Sequence, residues 1–198
     1  LLDEGFTQFL TSWGLEHIDG DTLVEEAPKA PYVSRFTRPE LVRESEVYRG
    51  YMRDAVRNEL PPIDTHSDGF APVEGRGGGY GHVYFKTATM LYNLQYLLGD
   101  SVFLDALQHY VRQWTLCHPT VADMRQSFVR STGVDLNPFF DAWLTTDKLV
   151  DYRVCGITRR MRSEGQTIRL RRRGGISMPI DLQVTARDGT VHDFHIPT

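Results

Sequence analysis

The stretch VYFKTATMLYNLQYLLG at residues 83–99 has a helical pattern that recurs over most of this chain. Its apolar side chains recur at helical spacing on one face, at Tyr84, Ala88, Leu91, Leu94 and Leu98. Gly99 follows the last of them, where a glycine commonly ends a helix. The stretch therefore predicts a helix that ends at Gly99.

Two further helices are predicted upstream of this stretch. The first carries Glu4 and has one apolar stripe, made of Phe6, Phe9, Leu10 and Trp13. Gly14 is expected to end or bend this helix. Thr37 and Glu40 have the spacing of a capping box, which predicts that a second helix opens at Thr37.

Three helices are predicted downstream, each from a start signal. Asp100 can cap the first of them, and Thr120 with Asp123 forms a second capping box. Asn137 and Pro138 predict the start of the third, because proline is favoured in the first turn of a helix.

The sequence pattern changes near Asp151. Apolar residues now alternate with polar ones, at Ile168, Leu170, Ile180, Leu182 and Val184. Dipeptides typical of turns separate these runs, at Glu164-Gly165, Gly174-Gly175 and Asp188-Gly189. We therefore expect an α+β fold that is mainly α, with a helical part over residues 1–150 and a small antiparallel β unit over residues 151–198.

Composition argues against general nucleic-acid binding and against a membrane span. The 198 residues carry a formal net charge of −4, which gives no general attraction to nucleic acid. No apolar run approaches the length of a membrane span. Cys117 and Cys155 are far apart and are expected to be unpaired thiols. The compartment, cytoplasmic, periplasmic or secreted, stays open.

Two short motifs carry a family resemblance: LDEGFT at Leu2 to Thr7 and VYFKTA at Val83 to Ala88. They resemble the zinc-ligand and tyrosine segments of the aminopeptidase N family of gluzincin metallopeptidases. The resemblance implies that Glu4 is a zinc ligand and that Tyr84 is the catalytic tyrosine. Without these motifs, Glu4 would be expected to be a solvated surface residue and Tyr84 a core aromatic residue.

The resemblance extends over most of the chain. Three later segments are similar to helices that follow the tyrosine in this family: YLLGDSVFLDAL, HPTVADMRQSF and GVDLNPFFDAWL. The resemblance, which is to bacterial members, implies the helical part of a thermolysin-like catalytic domain running into a β domain. Asp3 stands where many members have asparagine and Thr87 where most have glycine, but neither departure removes a group that carries chemistry.

The HExxH motif that supplies the family's other two zinc ligands and its general base is absent. None of the seven histidines is followed by glutamate. In the family the second histidine of that motif lies nineteen residues before the ligand glutamate, which here falls before Leu1. We therefore expect a piece of a longer polypeptide whose remainder is its partner, and we expect the isolated chain to be inactive and to bind zinc weakly.

The predicted function is that of a zinc-dependent parent enzyme that hydrolyses N-terminal residues from peptide substrates. The alternative is a non-catalytic pseudo-peptidase or protein-interaction module. Retention of both Glu4 and Tyr84 favours the enzyme.

Three other features each have two interpretations. Asp64, His66 and Asp68 could hold a metal or line the substrate cleft, although turn chemistry explains residues of these types. The glycine cluster at Gly75 to Gly81 lacks the ending of a phosphate-binding loop and is interpreted as a mobile loop beside the active site. The arginines between 159 and 173 could suggest nucleic acid, but their alternation with Ile168 and Leu170 favours a solvated strand face.

Overall fold

The computed structural model describes residues 2–23, 32, 40–57, 60–70, 79–159 and 166–198. It separates into two compact units, a helical unit over Leu1–Asp147 and a β unit over Lys148–Thr198. Each unit is described by itself below. The predicted fold class, α+β and mainly α, is confirmed.

The described part of the helical unit contains six α-helices and one short strand pair. The helices are α1 Leu2–Ile18, α2 Arg49–Val56, α3 Thr87–Leu98, α4 Asp100–Trp114, α5 Val121–Thr132 and α6 Asn137–Leu144. Two π-helical segments, Glu44–Tyr48 and Gly81–Lys86, run directly into α2 and α3. Strands β1 Thr22–Leu23 and β2 Glu40–Leu41 pair antiparallel, and Ser67–Gly69 form a 3-10 turn.

Local signals place several helix ends where they were predicted. The Thr120 Oγ1 accepts from the Asp123 N–H at 3.3 Å, and the Asp123 Oδ2 accepts from the Thr120 N–H at 2.9 Å. This capping box begins α5, as predicted. Asn137 and Pro138 begin α6. Gly99, with φ of 77°, ends α3 in a conformation that glycine adopts without strain.

Three predicted helix signals are wrong. Gly14 does not end α1, which continues to Ile18. Asp100 does not cap α4, because the cap position belongs to Gly99 and the Asp100 carboxylate accepts instead from the Gln95 side chain at 3.0 Å. Glu40 lies in β2 opposite Leu23 rather than in the first turn of a helix, and its predicted partner Thr37 lies outside the described residues.

A continuous aromatic core joins the helices of this unit. Helix α3 packs against α1 and α4, α4 packs against α5, and α5 packs against α6. Ring centroids follow the same path, with Phe9 5.4 Å from Phe103, Phe103 6.2 Å from Phe128, and Phe128 6.3 Å from Phe140. All four rings are fully buried. This core holds α1 and α3, the two helices next to the candidate site.

The β unit consists of two antiparallel hairpins. Strand β3 Tyr152–Arg159 pairs with β4 Gln166–Arg172, and β5 Ile180–Thr185 pairs with β6 Val191–Ile196. In the described residues the two pairs form separate sheets. The predicted turn at Asp188-Gly189 joins β5 to β6, with Gly189 at φ of 86°. The predicted turn at Glu164-Gly165 lies outside the described residues.

The Gly174-Gly175 dipeptide connects the two sheets instead of closing a hairpin. The N–H groups of Arg173 and Gly174 both donate to the Asp151 carbonyl, at 2.8 and 3.0 Å. A Cβ at Gly174 would lie 2.1 Å from the Leu149 carbonyl oxygen, so this close approach requires glycine. Cys117 and Cys155 are both free and exposed, as predicted.

Candidate functional site

Glu4 and Tyr84, which lie far apart in the sequence, line the same pocket. The pocket has a volume of about 360 Å³, and its walls come from α1, the residues before α3 and Phe70: Asp3, Glu4, Phe70, Gly79, Tyr80, Val83 and Tyr84. It therefore combines two carboxylates, two phenol groups and an apolar wall.

A close helix contact at Gly5 brings the two motifs together. Gly5 is buried, and a Cβ at this position would lie 2.2 Å from the Thr87 Cβ and 2.7 Å from the Val83 carbonyl oxygen. Any side chain here would push α1 away from the segment that carries Tyr84. The residue after Glu4 thus sets the separation between Glu4 and Tyr84.

The π-helical segment Gly81–Lys86 presents Tyr84 to the pocket. The Thr87 N–H reaches back five residues to the His82 carbonyl, which also accepts from the Thr87 hydroxyl at 3.0 Å. Single π turns inside helices occur frequently at functional sites. The wider turn places Tyr84 on the pocket side while Lys86 points into the interior.

Lys86 anchors the end of this segment. Its side chain is fully buried, and its Nζ donates to the carbonyls of Pro61 at 3.0 Å and Thr146 at 2.7 Å. Burial lowers the pKa of Lys86 to about 8, and the carboxylates of Asp147 and Asp64 offset part of that effect. One ammonium group therefore links the Tyr84 segment to backbone on both sides of it in sequence.

The Tyr84 hydroxyl interacts with the Glu4 carboxylate. A side-chain hydrogen bond with Glu4 raises the pKa of Tyr84, and desolvation and the negative charge of Glu4 act in the same direction. The Tyr84 ring stacks on Tyr80, with centroids 4.4 Å apart and planes at 12°. The Tyr84 hydroxyl therefore lies close enough to the Glu4 carboxylate for the two groups to influence each other.

A family model described as "Peptidase family M1 domain" matches residues 1–143. That match covers more than two thirds of the chain, including both motifs and all six described α-helices up to Trp143. The chain belongs to peptidase family M1. A search of curated proteins finds no match.

M1 peptidases are generally zinc-dependent. Glu4 supplies one carboxylate donor at the pocket wall. Over the described ranges, no group of three or more His, Cys, Asp or Glu side chains is placed to hold a metal ion. A catalytic zinc takes three protein ligands. Glu4 therefore offers one donor of a type that zinc accepts, and a zinc site at this pocket would need its other ligands from side chains outside these ranges.

The Asp64, His66 and Asp68 group is a turn in this M1 domain. The exposed His66 Nδ1 accepts from the Asp68 N–H at 3.3 Å and lies 3.4 Å from its Oδ2. The Asp64 N–H donates to the Leu144 carbonyl at 3.1 Å. These contacts are typical of turn chemistry. Most of the glycine cluster lies outside the described residues, whereas Gly79 borders the pocket.

Two features of the site were missed by sequence reasoning. His82 is buried against Phe70, with ring centroids 4.7 Å apart, and burial, with a smaller contribution from Lys86, lowers its pKa to about 4. Its imidazole is therefore neutral at physiological pH. Tyr80 was also missed, although its position one helical turn before Tyr84 is a signal that could have identified it.

The described arginines of β4 are solvated on both faces of the strand. Arg169 and Arg171 lie on one face and Arg172 on the other, and all three are exposed. Arg173 lies 3.8 Å from the Asp151 carboxylate. Arg160 and Arg162 lie outside the described residues. No described helix is both long and apolar enough to cross a membrane.

Proposed function

We propose that this M1 domain belongs to a zinc aminopeptidase that removes N-terminal residues from peptides, with Glu4 as a metal ligand and Tyr84 as an oxyanion donor. The observation that supports the proposal most directly is that both side chains line one pocket and interact. The two motifs that carry the family resemblance are thus spatial neighbours.

The residues of the pocket suit those roles. When bound, a zinc ion would polarise the scissile carbonyl and lower the pKa of a bound water to about 7. The Glu4 carboxylate would hold the ion, since a carboxylate is a normal third ligand beside two imidazoles. The Tyr84 hydroxyl keeps its proton at neutral pH, since a tyrosine hydroxyl has an ordinary pKa of about 10. It can therefore donate to the oxygen that becomes negative during peptide-bond hydrolysis.

The remaining machinery would come from outside these 198 residues. The proposal assigns two histidine ligands and the general base to an HExxH helix, which the chain lacks. We therefore expect the chain alone to be inactive. Zinc-dependent peptide hydrolysis by the purified 198-residue chain would contradict that expectation.

The first experiment is to read the coding region upstream of Leu1. An HExxH motif whose second histidine lies nineteen residues before Glu4 would support the metallopeptidase. Its absence would leave a pseudo-peptidase or interaction module, and both site assignments would fall.

The second experiment uses the full-length polypeptide and separates the two roles. Tyr84→Phe should lower kcat about 10²- to 10³-fold, the usual cost of one oxyanion donor, while the zinc content stays the same. Glu4→Gln should lower the zinc content measured by elemental analysis together with activity. Tyr96→Phe is the matched control, because Tyr96 lies further along the same helical run and outside the pocket. Loss of activity in the control equal to that in Tyr84→Phe would refute the assignment.

A further inference from the structure

A second pocket also has Tyr80 in its wall. It has a volume of about 220 Å³ and is lined by Ser45, Arg49, Gly50, Arg53, Tyr80 and Phe85. Tyr80 lines the Glu4–Tyr84 pocket as well. Its ring stacks 4.4 Å from the ring of Tyr84. The pocket of the proposed catalytic residues and a pocket that contains two arginines therefore share one aromatic side chain.

The walls of this second pocket combine guanidinium groups with aromatic rings. Arg49 and Arg53 are four residues apart on α2, so they lie on the same helix face. Gly50 allows Phe85 to approach, since a Cβ there would lie 2.5 Å from the Phe85 ring. Phe85 and Tyr80 have ring centroids 6.3 Å apart. An extended peptide segment with a negatively charged group suits such a pocket.

Both arginines have donors that no partner occupies in the described part of the chain. Arg49 forms an ion pair with Glu40, but its side chain is 62% exposed, and exposed ion pairs are weak. Arg53 Nε donates to the Asp54 Oδ1 at 3.1 Å. Its Nη2 is buried and finds no acceptor among the described residues. Buried guanidinium donors are normally paired, so this one indicates a missing acceptor.

We propose that this pocket is a carboxylate subsite for the peptide substrate downstream of the scissile bond, an inference that rests on the proposed function. An arginine fork matches a carboxylate in two parallel hydrogen bonds. An extended residue spans about 3.3–3.6 Å, and the two pockets share Tyr80, so a short peptide can reach from the first pocket into the second. The carboxylate can be the C-terminus of a short peptide or an acidic side chain.

Two pairs of substrates, tested on the full-length polypeptide, distinguish a C-terminal carboxylate from an acidic side chain. Trialanine against trialanine amide tests the C-terminal carboxylate. Ala-Asp-Ala amide against Ala-Asn-Ala amide tests the acidic side chain. A charge-assisted hydrogen bond contributes about 1.5–3 kcal/mol, so the favoured acid should exceed its neutral partner about 10- to 100-fold in kcat/KM.

Variants then assign the preference to Arg53. Arg53→Met should bring the acid-to-amide ratio close to one, and Arg53→Lys should restore part of it, because lysine keeps the charge but not the fork. Arg112→Met is the matched control, since Arg112 bonds Gln108 on α4 and lines neither pocket. It should leave the ratio unchanged.

The outcomes separate this inference from the proposed function. If all four peptides are hydrolysed with both ratios near one, the subsite is overturned and the aminopeptidase function stands. The same holds if Arg53→Met does not change the ratios. Absence of hydrolysis refutes the proposed function. In that case, calorimetric binding of the same pairs decides the subsite. Weaker binding of the favoured acid by Arg53→Met supports the subsite, and equal binding overturns it. Tryptophan fluorescence of each variant checks that the helical unit is folded.

Discussion

The helical unit and the β unit use their apolar residues differently. In the helical unit, large side chains such as Phe9, Phe128 and Trp143 are fully buried in one core. In the β unit, Ile157 on β3 is 59% exposed and Phe194 on β6 is 51% exposed. The contrast indicates that the helical unit has the rigid core needed to position a reactive group, whereas the strands of the β unit contribute little core of their own.

The largest expected effect tests the aromatic core directly. Phe9→Ala should destabilise the helical unit by about 3–5 kcal/mol, because it removes a buried ring in contact with Tyr92 and Phe103. Urea denaturation followed by tryptophan fluorescence measures this effect, since Trp13, Trp114 and Trp143 all lie in the helical unit. A loss below about 1 kcal/mol would contradict the contrast between the units.

The next largest loss of stability is expected from filling the close contact at Gly5. Gly5→Ala should cost about 1–3 kcal/mol by overpacking against Thr87. Gly14→Ala on the same helix is the control. Nothing lies within 4 Å of a Cβ there, so alanine should stabilise the helix by about 0.5–1 kcal/mol. Changes of the same sign in both variants would show that helix propensity, not the approach of α1 to the Tyr84 segment, governs Gly5.

The buried ammonium of Lys86 predicts a pH dependence. Its pKa is about 8 in the folded chain and 10.5 in the unfolded chain, so between these values the unfolded chain binds more protons. The Lys86 contribution to the free energy of unfolding should therefore rise with pH across that window, by at most about 1.4 kcal/mol per pH unit. Lys86→Met lacks this contribution. The difference between wild type and variant should shift in favour of wild type as pH rises, and a constant difference would refute the assignment.

A smaller effect is expected in the β unit, where Tyr152 holds the chain at Met178. Its hydroxyl accepts from the Met178 N–H and donates to the Met178 carbonyl, both at 2.9 Å. Tyr152→Phe should cost about 1 kcal/mol by leaving these backbone groups without their partner. Hydrogen exchange at the Met178 amide measures it, and unchanged protection would show that water replaces the hydroxyl without loss.

The smallest effect is expected at the exposed strand face. Phe194→Ala should change the stability of the β unit by less than about 1 kcal/mol, because half of the ring is already in water. Far-UV circular dichroism of the strands during denaturation measures this change. A cost approaching that of Phe9→Ala would mean that the Phe194 face is covered by something other than the described residues.

Two signals within one turn of chain were predicted correctly, whereas the Asp100 cap was not. The Thr120–Asp123 capping box and the Asn137-Pro138 start depend on residues three or fewer positions apart, so sequence alone identifies them. Gly14 was misjudged because packing of α1 against the rest of the unit outweighs the propensity of one glycine. Glu40 was misjudged because its strand partner, Leu23, is distant in sequence.

Some features of the candidate site could likewise be predicted from the sequence, and others could not. The motifs around Glu4 and Tyr84 identified the two residues by resemblance, and the structure places them in one pocket. Sequence reasoning missed the buried state of Lys86 and the arginine pocket beside Tyr80. Neither has a local signature, because each depends on segments that meet only after folding.

The sequence by itself determined the helical periodicity, the change to β structure near Asp151 and the membership implied by two short motifs. These properties depend on side-chain type and spacing within a few residues. Only the tertiary structure decided that Gly5 brings Glu4 to Tyr84, that Lys86 is enclosed with two carbonyls, and that Arg53 faces a pocket bordered by Tyr80. The physical reason is that burial and charge environment arise from packing between distant segments, which no local pattern specifies.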